Sequence, residues 1–304
     1  MILVTGGLGF LGTHTARALL DLGEECLAVG RSAPAGRTGR LVVEPLDCTD
    51  LGALLALGGR YPVTGIVHLA GVRPGSVPVV DELRANVTAG LNVVAAAVAW
   101  GVPRVTVAST IGVYGGVPGP VWREDSPLPV ASAGGIPASK KAVEVLLPVA
   151  AAGATEVVHV RIGAAWGPGG RPASPFIAAP ALVHAAVRGM DPPVVQADDA
   201  VDLIYAPDCG RAIAAVATAE RLPHAVYNIG GGAAVTNARF ADALRSAVPG
   251  AEVALSPGRS ERAVPGDPYL DPTRLRADTG FRPAFDLPAA VADYVAWLRA
   301  GHPR

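Results

Sequence analysis

The sequence predicts an α/β fold: a doubly wound parallel sheet with helices on both faces, followed by a smaller C-terminal lobe. Three observations carry that prediction. Met1 to Gly12 reads as a short apolar strand, Ile2-Leu3-Val4, turning through T-G-G-L-G-F-L-G into an apolar-faced helix. From there to residue 170, apolar strands alternate with helical stretches, the order of a parallel sheet built from crossover units. After Arg171 the alternation lapses. This sets a boundary between a sheet domain over 1–170 and a lobe over 171–304, with the segment 200–230 returning to the sheet.

Each element has its own signal. Leu11, Thr15, Ala18, Leu19 and Leu22 recur at helical spacing, and Gly23 stops that helix. Further strands are expected over 25–29, 41–46, 66–70, 102–108 and 155–162. A short helix over 50–57 is opened by Thr49 or Asp50 as cap. A long helix over 81–100 carries Leu83, Val87, Leu91, Val94 and Val98, suited to packing on a sheet or on a second subunit. The Gly- and Pro-rich stretch 115–137 is long enough for a lid. A helix over 138–152 follows, which Pro148 should kink or end. In the lobe, helices are expected over 176–188, 209–219, 237–248 and 287–299, and strands over 200–205 and 225–229.

Composition narrows the classes. Half of the 304 residues are apolar and 17% are charged, enough for a sizeable core. A net charge of −1 with no basic run argues against a nucleic-acid partner. No apolar run reaches bilayer-spanning length, and a strand starting at Met1 leaves no room for a signal peptide. Cys26, Cys48 and Cys209 are odd in number and lack C-x-x-C spacing, so they read as core residues of a cytoplasmic protein with no metal site. Only two lysines occur, Lys140 and Lys141, and they are adjacent.

A strand that feeds a helix through a glycine turn aims backbone N–H groups and the positive helix end at an anion. Gly6 permits the tight turn, Gly9 lets the backbone approach a pyrophosphate, and Gly12 lets helix pack on strand. The second strand ends in Gly30-Arg31, where NAD binders place a carboxylate; Gly30 removes it and Arg31 offers a planar fork for a 2′-phosphate, which favours NADP(H). Asp47 stands where an adenine amino group is met, or serves as a turn aspartate. His68, inside an apolar strand, reads as a core histidine. Hydroxyls in Ser109-Thr110-Ile111-Gly112-Val113-Tyr114-Gly115 lie at a C-terminal strand end, where open parallel sheets bind ligands.

Together these segments resemble the extended short-chain dehydrogenase/reductase family along essentially the whole chain. Thr5-Gly6-Gly7-Leu8-Gly9-Phe10-Leu11-Gly12 is similar to its cofactor motif and His68-Leu69-Ala70-Gly71 to its fourth-strand motif. Asn86-Val87-Thr88-Ala89-Gly90-Leu91-Asn92 resembles its N-V-x-G-T-x-N helix, and Ser139-Lys140 with Glu144 its catalytic helix. Arg161, Gly167-Pro168-Gly169 and Tyr227-Asn228-Ile229-Gly230 also fit. The resemblance implies a Rossmann-type domain holding the cofactor through Gly6, Gly9, Phe10, Leu11, Gly12, Arg31, Asp47, Cys48, Leu69, Ala70, Gly71 and Lys140. It implies a homodimer through the 81–100 helix.

The departures are as informative. In the family's Y-x-x-S-K the tyrosine stands four residues before the lysine; here Ile136 replaces it, while Thr110 and Lys140 keep their catalytic positions. Ile111-Gly112 replaces the Asp-Glu pair of family dehydratases. Val201 replaces the arginine of R-D-F-x-Y-V-x-D, which in nucleotide-sugar enzymes of the family holds a diphosphate. With a nearly uncharged 172–187, a hydrophobic aromatic substrate is expected, touched by the 115–137 loop and 171–188 through Tyr114, Trp122 and Phe176. A tyrosine-less member with an apolar lobe resembles the angucyclinone ketoreductases of aromatic polyketide pathways. This implies NADPH-dependent reduction of a polycyclic phenolic ketone. The proton then comes from water, from Tyr114 or Tyr205, or from a phenol on the substrate beside the ketone, whose ordinary pKa near 10 matches that of tyrosine; the phenol is favoured. The alternatives are a non-catalytic NADP-binding regulator and a sugar epimerase.

Overall fold

The computed structural model describes every residue of the chain except Pro175. Short apolar strands leave one layer and return through helices, as the alternation requires. β1 (Ile2–Thr5), α1 (Phe10–Asp21) and β2 (Cys26–Gly30) form the first crossover, and a hairpin of β3 (Gly36–Thr38) and β4 (Leu41–Pro45) closes that edge. α2 (Leu51–Gly58), β5 (Gly65–His68), α3 (Val79–Trp100) and β6 (Arg104–Thr110) lead to the other half. There follow β7 (Val121–Trp122), α4 (Gly135–Ala151), β8 (Glu156–Ile162), β9 (Ala164–Trp166) and α5 (Ala179–Arg188). The C-terminal part adds β10 (Val195–Gln196), β11 (Ala200–Tyr205), α6 (Ala206–Thr218), β12 (Val226–Ile229), β13 (Ala234–Thr236) and α7 (Asn237–Ala247). β14 (Leu255–Ser256), β15 (Tyr269–Leu270), α8 (Thr273–Thr279) and α9 (Leu287–Arg299) complete it.

Among the described residues the main sheet has eight strands in the order β12-β8-β6-β5-β1-β2-β4-β3, parallel except for the β3–β4 pair. The chain leaves β1 toward β2 and later returns on the other side through β5, so the crevice lies where β1 and β5 end together. One face of the sheet buries Leu3, Leu27, Ile66 and Val105 under α2, α3 and α4, and the other buries Val4, Val67 and Val160 under α1 and α6. Each such side chain contributes about 1.5–3 kcal/mol.

A separate core of Trp166, Leu182, Phe240, Leu244, Val291 and Tyr294 builds the lobe. The segment 200–230 is divided: β12 and α6 join the main sheet, whereas β11 pairs with β9 and β13 in a lobe sheet of its own. The division at residue 170 is therefore less clean than the sequence suggests.

α3 is long and apolar enough, by length and composition, to cross a bilayer, contrary to the sequence reading, but its Ala89, Val93, Val94, Ala96 and Ala97 face the sheet core. α4 runs beside it. Gly90 makes the close approach possible, since a Cβ there would sit 3.3 Å from Leu147 Cδ1. Pro148 does not end α4, which continues to Ala151. It falls in the last turn with an exposed ring, so only one helical bond is forgone.

Candidate active site

The glycine turn fits a dinucleotide pyrophosphate. Gly6 has φ +65°, and a Cβ there would lie 2.9 Å from Ala70 backbone atoms, so β1 and the loop after β5 meet only through a glycine. A Cβ at Gly12 would lie 2.0 Å from the Gly6 carbonyl oxygen. Gly9 caps α1 without a side-chain hydrogen bond, which leaves the helix N-terminus to an anion. Thr5 Oγ1 and His68 Nδ1 share a hydrogen bond of 2.7 Å beneath this turn, and burial drives the His68 pKa down to about 3, so the ring is a neutral core group.

At the adenosine end Arg31 is exposed, and a side chain at Gly30 would meet nothing within 4 Å. The missing carboxylate is thus a matter of charge and not of space. Asp47 Oδ1 accepts from Thr49 N at 2.9 Å and Thr49 Oγ1 at 2.8 Å, hydrogen bonds that hold its carboxyl below the usual range. Asp47 thus makes the turn that was one of its two expected roles. The Cys48 thiol is buried, which raises its pKa to about 11, and Asn92 Nδ2 donates to the Cys48 carbonyl at 3.0 Å. Only its backbone is available at this end.

The two lysines separate in role. Lys141 Nζ donates to the carbonyls of Pro129 and, at 2.6 Å, Ala131, pinning the preceding loop. Lys140, one residue earlier, makes no side-chain hydrogen bond among the described residues; burial lowers its pKa to about 8 against the opposing pull of Glu144. Ser139 Oγ donates to the Ile136 carbonyl at 3.0 Å and receives Asn86 Nδ2 at 3.4 Å, which ties the first turn of α4 to α3. Thr110, at the end of β6, accepts from Gly112 N at 3.2 Å and opens a 3-10 turn over Ile111–Tyr114.

Beneath these groups lies a sealed polar floor. Arg161 on β8 and Glu144 on α4 pair at 2.7 Å with side-chain exposures of 6% and 8%. Ser109 Oγ also donates to Glu144. The Arg161 and Ser109 donors hold the Glu144 carboxyl low although burial pushes it up. Arg161 Nη1 donates to Tyr114 Oη at 2.8 Å, and Tyr114 Oη donates to Asn228 Oδ1 at 2.8 Å. Asn228 Nδ2 reaches the Trp122 carbonyl at 2.9 Å, and Asn228 N donates to Glu124 Oε1 at 2.9 Å.

Above the glycine turn a cleft of about 900 Å³ is lined by Gly9, Phe10, Thr13, Arg73, Trp166, Arg171, Phe176, Ile177 and Arg304, among others. His14 Nε2, hydrogen-bonded to the Pro168 carbonyl at 2.8 Å, fastens α1 to the turn that forms its far wall.

The profile of the NAD dependent epimerase/dehydratase family matches residues 2–230. The chain belongs to that family. It is 29% identical over 314 residues to a dTDP-glucose 4,6-dehydratase of Streptomyces griseus, covering 97% of this chain and 93% of that one. It is 30% identical over 308 residues to a dTDP-6-deoxy-L-talose 4-dehydrogenase (NAD(P)(+)) of Kitasatospora kifunensis, covering 96% and 93%. The solved structure of MoeE5 in complex with UDP-glucuronic acid and NAD superposes with a TM-score of 0.82 at 30% identity, covering 99% of each chain.

Several expected site residues of this family member stand elsewhere than the sequence suggested. Tyr114 is fully buried and stacked on Trp122, with ring centroids 5.4 Å apart, so neither ring reaches the cleft. Tyr205 is buried and donates to Asp293, an exposed residue of α9; burial and that carboxylate push its pKa far up, which makes it a poor acid. Phe176, 69% exposed, does line the cleft. The 115–137 loop does not line it among the described residues. Its Val117, Trp122 and Leu128 form a small core with Val113 and Leu270, and β7 pairs with β15. Sequence reasoning missed Asn228, Glu124 and the cleft arginines. Asn228 had a signal in its motif; Arg73, Arg171 and Arg304 had none, being 98 and 133 positions apart and scattered among other arginines.

Proposed function

We propose that this chain is an NADPH-dependent ketoreductase acting on an apolar, planar, phenol-bearing ketone of the angucyclinone type. The observation that carries the reading is Ile136 at the position of the catalytic tyrosine, beside Thr110 and Lys140 retained at theirs. A nicotinamide dinucleotide supplies the hydride that the carbonyl carbon receives. Gly6, Gly9 and Gly12 hold its pyrophosphate, and Arg31 meets the 2′-phosphate. Lys140, as ammonium, grips the ribose and keeps the local potential positive. Thr110 donates a hydrogen bond to the carbonyl oxygen. That oxygen still needs a proton, and Ile136, Tyr114 and Tyr205 cannot give it; the substrate's neighbouring phenol does, with an acidity like that of the absent tyrosine.

The relatives named above act on, or are solved with, nucleotide sugars, and an epimerase is the second reading. Against it stand Val201 in place of the diphosphate arginine and Ile111-Gly112 in place of the dehydratase pair. Exposed Leu91 and Val98 on α3 and Val145 and Val149 on α4 support a homodimer. The test is NADPH oxidation with a peri-hydroxy tetralone set against UDP- and dTDP-glucose. Turnover of the tetralone and none with either sugar nucleotide is expected; the reverse pattern overturns the reading.

A further inference from the structure

Three arginines far apart in sequence, all exposed, line the one cleft beside the glycine turn. Arg73 comes from the loop after β5, Arg171 from the glycine-rich turn after β9, and Arg304 from the residues behind α9, where Trp297 Nε1 holds its carbonyl at 2.8 Å. No Asp or Glu lines this cleft among the described residues, although the chain carries 26 acidic residues against 25 basic. The ion pairs of the described residues engage other arginines and leave these three out. Like charges gathered around a concave surface repel one another and focus a positive potential into it; a bound anion reverses that cost.

The glycine turn and the N-terminus of α1 already provide for a pyrophosphate at one end. Arg171 lies in the wall that also presents Phe176 and Ile177, where a second ligand would rest. The lobe therefore supplies charge from places other than position 201, and the cleft is less apolar than the uncharged stretch 172–187 suggests. A cleft of this size takes a drug-sized ligand by apolar walls and a few placed polar groups.

We infer that this cleft is an anion-accepting substrate subsite, taking a planar apolar body against Phe176 and a carboxylate against Arg171, Arg73 and Arg304. The guanidinium fork matches a carboxylate in two hydrogen bonds. The planar body rests on the ketoreductase reading; the anion preference rests on the arginines alone.

Calorimetry on the full chain, saturated with whichever nicotinamide dinucleotide it binds more tightly, tests this with hydroxynaphthoate, its methyl ester and UDP. The acid should bind at least tenfold more tightly than the ester and weaken as salt rises. Arg171→Gln and Arg304→Gln should each abolish most of that preference while leaving dinucleotide affinity within about twofold, which also shows that the variants fold. Equal binding of acid and ester, or no binding of either with UDP also absent, overturns the proposal. So does a loss confined to the dinucleotide, which would assign the arginines to it. Arg171-dependent binding of UDP without either naphthyl ligand would keep the anion subsite and refute the ketoreductase reading.

Discussion

The buried polar cluster around Arg161, the floor, and the open cleft beside the glycine turn are built on opposite principles. In the floor every strong group has a partner: Glu144, Arg161, Tyr114, Asn228 and Glu124 satisfy one another within a few ångströms, out of contact with water. Elsewhere the charged groups lack partners among the described residues: Lys140 has its pKa lowered by burial, and Arg73 and Arg171 line the open cleft. A family motif contains both kinds. Ser109, Tyr114 and Glu144 sit inside the segments that resemble catalytic ones yet serve the fold, whereas Thr110 and Lys140, one and four positions away from Ser109 and Glu144, are the residues that the proposed reaction uses. Only the direction each side chain takes from its strand or helix separates them.

Removing a floor residue should therefore unfold the protein before it slows it. Arg161→Met leaves Glu144 buried and unpaired, and breaking a buried pair in this way typically costs about 3–5 kcal/mol. Urea titration should show a loss of that size; a loss below about 1 kcal/mol would mean that the floor relaxes freely.

Lys140→Met should do the reverse. Dinucleotide affinity and turnover should fall at least about tenfold, the loss of a charge-assisted contact, while the melting temperature holds or rises. Because burial depresses the Lys140 pKa to about 8, the folded chain releases this proton more readily than the unfolded one. Its charge, and the activity that needs it, is present below about pH 8 and lost above. Stability, by the same linkage, gains as pH rises from about 8 toward the ordinary lysine value. The alkaline limb of the pH–rate profile should vanish in the variant.

At the adenosine end, Gly30→Asp with Arg31→Ala should reverse the cofactor preference. A charge-assisted contact to a 2′-phosphate contributes about 1.5–3 kcal/mol, roughly tenfold to a hundredfold in affinity. Tighter NADH than NADPH binding by the unmodified protein would refute the assignment. The smallest effect belongs to Tyr114→Phe, which should cost about 1–3 kcal/mol of stability by orphaning buried partners and leave the rate unchanged. A hundredfold fall in rate would return Tyr114 to the reaction.

The sheet half was legible in the sequence because each of its elements has a local signal. The strand–glycine–helix start and the Asp50 cap stand where periodicity and capping placed them, and in the lobe β11 and α9 do too. What escaped was long-range. β13, β14 and β15 are two or three residues long and exist only through partners distant in the chain. The burial of Tyr114 depends on Trp122 and Asn228, and the charge of the cleft depends on residues from both ends of the chain. A motif names the residues near a reaction; the packing decides which of them face it.

The most direct test of the account is a comparison of a peri-hydroxy tetralone with its methyl ether, measured as kcat/KM with NADPH under saturating cofactor. If the substrate's phenol supplies the proton that Ile136 cannot, methylation should lower the rate by about 10²–10⁴-fold, the usual worth of general-acid help, and Ile136→Tyr should recover part of the loss on the ether. Equal reduction of phenol and ether would contradict the account and place the proton donor in the protein.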